Sequence, residues 1–197
     1  VATAHLGNWD LAACAQALAG RRLTLLSRRL SNRGLDRRWM AGRRAFGLEI
    51  VEEDAKFEEL AGILRRGGTL VLPIDQATPP ERGGIRADFL GRPAWTTRLP
   101  ALLALRTGAP IFPAFVESGT DGRHVVRYEE AIRPGEDDGS VAERTLALTR
   151  ELNERLERRV RERPEQWLWL HRRWKDLTTR RRAPRSPGER RRGRPGS

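Results

Sequence analysis

Apolar residues along the chain fall into short runs separated by longer stretches of helical period, so strands and helices are expected to alternate. Val1–Ala4 reads as a short strand that ends at His5, and Asn8 is placed to cap a helix over about Trp9–Ala19. Arg22–Ser27 has the length and apolar content of a strand, and Gly34–Phe46 reads as a helix with Gly47 as its stop. Glu49–Val51 is a short strand; Asp54 then caps a helix to about Arg66, which Gly67 and Gly68 end. Thr69–Ile74 (TLVLPI) is the clearest buried strand, bounded by the glycine pair and Asp75. Residues 76–96 read as a long loop rich in Pro and Gly. A helix over Thr97–Thr107 and strands over Ile111–Glu117 and His124–Glu130 follow. Ser140 then caps a long helix to about Arg163, stopped by Pro164. This order implies an α/β fold whose central sheet, mostly parallel or mixed, is flanked by helices. Sites in such sheets lie beyond the carboxyl ends of strands. That directs attention to His5–Asp10 and Asp75–Thr97.

Composition narrows the class. The chain has 197 residues, 38% of them hydrophobic, enough for one domain with a core. No apolar run approaches the roughly 18–20 residues of a membrane span; the longest is Leu99–Leu105. Cys14 is the single cysteine, best read as a small core residue, and no Cys/His cluster has metal spacing. The net charge is +12, carried almost wholly by arginine, since Lys56 and Lys175 are the only lysines. Eight arginines face Glu189 alone between Arg180 and Ser197. Residues 1–176 are therefore expected to form the domain and 177–197 a disordered Arg-rich tail. Such a tail would suit a basic nucleic-acid-binding module, although the rest of the chain carries no RNA or DNA motif. Because Val1 opens directly on a strand, the chain is also expected to lack an N-terminal portion, where a membrane anchor could have been.

The candidate chemistry sits in His5-Leu6-Gly7-Asn8-Trp9-Asp10. On one helix a spacing of five would part His5 and Asp10 by about 140°. With His5 on the turn before the helix and Asp10 in its first turn, the carboxylate could reach back to the imidazole, with Gly7 making the bend. Such a pair is general-base machinery: Asp10 would fix the tautomer while His5 takes a proton from a hydroxyl. Spacing alone equally allows a strand-end histidine and a carboxylate placed favourably at a helix N-terminus.

The wider context resembles a known family. HLGNWD is similar to the H-x4-D/E motif of the lysophospholipid acyltransferase superfamily, in the form found in the late acyltransferases of lipid A biosynthesis. Asp75-Gln76, the block Phe89–Ala94 with Thr96-Thr97, Leu103-Ala104 with Thr107–Pro110, and Pro164–Lys175 (PEQWLWLHRRWK) resemble further blocks of that family in the same order. The resemblance implies a glycerol-3-phosphate acyltransferase-like fold at the cytoplasmic face of the bacterial inner membrane. It also implies transfer of a fatty acyl chain from an acyl carrier protein thioester, or from coenzyme A, to a hydroxyl of a lipid A precursor, with no cofactor or metal. Partners implied are acyl carrier protein, anionic membrane lipid and the lipid A precursor, and no specific nucleic acid. A phosphatidylinositol mannoside or a glycerol phosphate stays open as the acceptor.

By the same resemblance, His5 and Asp10 are the catalytic dyad, and Gly7, Asn8, Arg43, Asp75 and Gln76 are substrate-binding positions. Arg43 matches a family arginine used for substrate phosphate or transition-state charge; Arg28 or Arg29 is a second candidate. Asp75 could position Arg43 or the acceptor, or only cap the following loop. That loop is expected to cover an acyl groove, with Phe89, Leu90 and Trp95 lining it or packing in the core. Trp167, Trp169 and Trp174, interleaved with Arg172 and Arg173, suit a membrane interface or dock the C-terminus on the sheet. His171 is expected to be structural.

Overall fold

A computed structural model describes residues 1–135 and 139–175. The expected tail therefore lies outside the described residues. Four strands form a parallel sheet: β1 (Ala2–Thr3), β2 (Leu23–Ser27), β3 (Glu49–Glu52) and β4 (Thr69–Pro73), in spatial order β1-β4-β2-β3. Three crossover helices connect them, α1 (Trp9–Leu18), α2 (Arg33–Ala45) and α3 (Phe57–Arg65). This is the expected α/β architecture.

Alternation along the strands divides the core between two faces. Leu23 and Leu25 of β2 and Val71 of β4 meet Ala13, Cys14 and Ala17 of α1. The small residues let α1 lie close to the sheet. Leu70 and Leu72 of β4 point the other way, onto Leu60 and Ala61 of α3 and Leu103 of α4 (Leu99–Thr107).

Residues 76–96 depart from the expected loop. They contain an antiparallel hairpin, β5 (Gly84–Phe89) and β6 (Arg92–Thr97), turning on Leu90 and Gly91 at φ 50° and 74°. Two successive positive φ values match the twist of a tight hairpin. Pro93 and the glycines disguised the strand signal; Ala87, Phe89, Ala94 and Thr96 are nevertheless buried on one side. The strand expected at Ile111 begins later, as β7 (Ala114–Ser118), which pairs with β8 (His124–Tyr128). Pro113 lacks the N–H a ladder needs, so Ile111 forms only a separate bridge with Ile132.

The long helix α5 (Val141–Glu162) starts with a reciprocal capping box of Ser140 and Glu143. Leu152, Leu156 and Val160 join Leu6, Ile74, Phe89, Phe115 and Trp167 in the core nearest His5. After Pro164 the chain runs back as a strap: Gly7 donates to the Gln166 carbonyl (3.0 Å), and Leu168 donates to the His5 carbonyl (2.9 Å). The Gln166 amide clamps both backbone groups of Ser118 at 2.8 Å.

Candidate active site

Strand register builds the site. In the parallel pair, Ala2 lies opposite Leu72 and Thr3 opposite Pro73, so continuation beyond the strand ends brings His5 beside Asp75. The Ile74 N–H donates to the Thr3 carbonyl (2.9 Å), keeping the two chains in step up to the site. His5 Nδ1 then lies 2.9 Å from Asp75 Oδ1, and the His5 backbone N–H donates to Asp75 Oδ2 at 3.1 Å. The Trp167 indole N–H, brought in by the strap, donates to Oδ2 at 3.0 Å.

Asp75 has no solvent-exposed surface. Burial pushes its pKa up, but the bonds and positive charge from His5, with the Trp167 indole, outweigh that and hold it below the usual carboxylate value. An ionised carboxylate only accepts, so His5 Nδ1 carries the proton and the Nε2 lone pair is left facing Gln76.

Two neighbours face that lone pair. Gln76 Nε2 stands 3.4 Å from His5 Nε2 and 3.2 Å from His171 Nε2, so one amide group can donate a hydrogen to each imidazole. The rings of His5 and His171 meet edge-on at 4.7 Å, and Trp9 closes another side of His5 at 5.1 Å. Desolvation, then the nearness of His5, lower the His171 pKa, partly offset by Asp75. His171 therefore stays neutral more readily than a free histidine. The structure places it against His5, sharing the Gln76 amide.

The expected His5–Asp10 hydrogen bond is not what the structure forms. Asp10 Oδ1 instead accepts from Arg43 Nε (2.8 Å), while Arg43 Nη1 donates to Ser27 Oγ at the end of β2 (2.9 Å). The Arg43 guanidinium also sits between the rings of Trp9 and Trp39, at 5.7 and 5.6 Å. The physical reason is competition: His5 leaves β1 already in register with Asp75, and buried Arg43 requires the helix-borne carboxylate. Asp75 likewise neither positions Arg43 nor merely caps a loop.

Gly7 and Asn8 shape the turn. Gly7 has φ +57°, and a Cβ there would stand 2.5 Å from the Val116 carbonyl oxygen. Asn8 Oδ1 caps α1 by accepting from Leu11 N–H (3.2 Å). Arg28 and Arg29 are exposed and pair with Glu53 and Glu52. Phe89 is a core residue, tilted against Trp167 at 5.4 Å, and does not line a groove. A small cavity of about 30 Å³, room for about one water molecule, lies beside Trp9 between α1, the sheet and the β7–β8 hairpin, bordered by Ala12, Val71, Val116 and Val126.

The C-terminal segment divides. Trp167, Arg173 and Trp174 turn inward. Arg173 is fully buried, donates to the Trp95 carbonyl and Thr96 Oγ1 at 2.7 Å each, and has its pKa lowered to about 10 by desolvation. Trp169 and Leu170 turn outward. Local spacing carried no signal for the Asp75–His5 or Trp167–Asp75 contacts; the clue available was that both His5 and Asp75 terminate apolar strands.

Comparison with known proteins gives this geometry its context. The chain is 30% identical over 188 residues to a phosphatidylinositol mannoside acyltransferase of Mycolicibacterium smegmatis, covering 93% of the chain and 59% of that protein. A phosphatidylinositol mannoside acyltransferase of Mycobacterium tuberculosis (strain H37Rv) is 30% identical over 190 residues, covering 93% and 57%. The chain thus spans less than three fifths of the length of these relatives. The family model described as bacterial lipid A biosynthesis acyltransferase matches residues 1–176, and the chain belongs to that acyltransferase family.

Proposed function

We propose that this chain carries the acyl-transfer site of an O-acyltransferase, in which His5 is the general base and Asp75 its positioning partner. The observation that carries this reading is the buried Asp75 carboxylate on His5 Nδ1, which leaves Nε2 free to take a proton. An acceptor hydroxyl replaces the Gln76 amide at Nε2. As its oxygen attacks the thioester carbonyl carbon, the proton passes to His5 and the imidazolium is stabilised by Asp75. The tetrahedral intermediate then collapses, the C–S bond breaks, and the leaving thiolate takes the proton from His5. Arg43, fixed by Asp10 and Ser27, supplies positive charge for an acceptor phosphate or the developing oxyanion.

The donor is an acyl carrier protein or coenzyme A thioester, and the acceptor is a glycolipid hydroxyl at the cytoplasmic face of a bacterial inner membrane. Two acceptors have specific support. The blocks from HLGNWD to PEQWLWLHRRWK resemble the lipid A enzymes, whose family model matches residues 1–176, whereas the two individual proteins described above, each 30% identical to the chain, are phosphatidylinositol mannoside acyltransferases. That these two individual proteins act on a phosphatidylinositol mannoside by name favours that acceptor. Parallel assays with a labelled acyl thioester and each acceptor test this. Transfer to one acceptor is expected, with a loss of about 10²–10⁴-fold in His5→Ala. Full activity in that variant would remove the base from the mechanism.

A further inference from the structure

The carboxyl edge of the sheet carries an unusual set of exposed apolar side chains. The strap passing over His5 turns at Leu168-Trp169-Leu170, three consecutive large apolar residues that are 39%, 52% and 88% exposed. On either side of this turn the strap is fastened to the site. Leu168 N–H bonds the His5 carbonyl, and His171 meets the His5 ring. The topology brings more exposed apolar residues to this edge: Leu11 in the first turn of α1, Leu30 just after β2 and Leu35 in the first turn of α2. Arg33 and Arg172 stand at the same edge and are exposed, while Arg28 and Arg29 there are paired with Glu53 and Glu52.

We propose that this rim docks on an anionic lipid bilayer, with Leu170 at the tip of a wedge that enters the interface and the arginines on headgroup phosphates. The proposal rests on the acyltransferase reading and names the surface through which that site meets its lipid. Charge complementarity selects the occupant. Aliphatic and indole side chains beside the exposed Arg33 and Arg172 match a hydrocarbon boundary beneath anionic headgroups. Leu170, almost fully in water, makes little contact with its own protein, so its transfer to lipid gives up little packing. Docking there would bring the His5 site, to which the strap is fastened, to the membrane surface, where a lipid hydroxyl lies.

The arginine-rich terminus could hold vesicles by charge alone, so the test reads penetration at defined positions. In a Cys14→Ser background of the full chain, a polarity-sensitive fluorophore is attached at Leu170→Cys or, as a control, at Leu18→Cys. Leu18 is 70% exposed but lies at the opposite end of α1. With vesicles of phosphatidylcholine and phosphatidylglycerol, the Leu170 label is expected to shift to the blue and to be quenched by lipid-borne nitroxides, while the Leu18 label stays in water. Pure phosphatidylcholine vesicles should give a much smaller response. Leu170→Ser is expected to weaken vesicle binding about tenfold and to leave turnover of a water-soluble short-chain donor and acceptor unchanged. The proposal is overturned if vesicles do not bind, if they bind with the Leu170 label silent, or if both labels respond alike. A response to an acidic carrier protein but not to vesicles would also overturn it, identifying a protein-docking face instead. Penetration without acyl transfer would uphold the docking surface and count against the enzymatic reading alone.

Discussion

Two carboxylates flank the candidate site, and they are held in opposite ways. Asp75 ends a central strand, is fully buried, and accepts three hydrogen bonds, two of them from His5. Asp10 sits in the first turn of α1, keeps 23% of its side chain exposed, and pairs with Arg43 across the gap to α2. The first pair is set by strand register between residues 70 apart, the second by the meeting of two helices. A rigid ladder can orient an imidazole to within a hydrogen bond; a helix-to-helix ion pair is better suited to presenting a charge. The site is therefore built in two ways: the strands hold the imidazole, and the helices hold the guanidinium.

Variants separate the two roles. Asp75→Asn keeps the shape but removes the acceptor that fixes the His5 tautomer, and acyl transfer is expected to fall by about 10³–10⁴-fold. A merely structural role for Asp75 would lower the melting temperature without moving the pH profile of turnover, so both are to be measured. Asp10→Asn is expected to cost only about tenfold, through a loosened Arg43. Equal losses in the two variants would erase the distinction between the pairs.

The next largest effect concerns the turn that joins them. Gly7→Ala forces a Cβ into the Val116 carbonyl at a positive φ. It is expected to destabilise the fold by about 2 kcal/mol or more, read as a lowered midpoint in urea unfolding. An unchanged midpoint would mean that the β1–α1 turn relaxes freely and does not position His5.

The smallest effect is on the pH dependence of stability. Asp75 has a folded pKa below its unfolded one, so its contribution is present above about pH 4 and is lost as pH falls through the lower, folded value. His171 is also depressed, so the unfolded chain binds its proton first, and stability falls as pH drops below about 6.5. Unfolding of Asp75→Asn across this range should lack the first loss and keep the second.

Much of this architecture was legible in the sequence. TLVLPI, the glycine stops and the caps at Asn8 and Ser140 placed the strands and helices of the parallel sheet, because short apolar runs and turn residues act locally. His5, Asp10, Arg43, Asp75 and Gln76 were all marked, but their partners were not. A five-residue spacing suggested His5 with Asp10, whereas the pairing depends on which strand lies beside β1, a choice made by packing over the whole sheet. The β5–β6 hairpin was hidden for a similar reason. Its Gly and Pro content argued for a loop, and burial of Phe89 against Trp167, from the far end of the chain, supplied the stabilisation that local propensity lacked.

The tautomer of His5 tests the central claim most directly. The chain has three histidines, so their ring nitrogens can be assigned by ¹⁵N NMR. The expected spectrum has His5 protonated on Nδ1 at neutral pH in the wild type and in Asp10→Asn, with that preference lost in Asp75→Asn. A His5 tautomer that ignores Asp75→Asn but changes in Asp10→Asn would contradict the assignment and return the histidine to the helix-borne carboxylate.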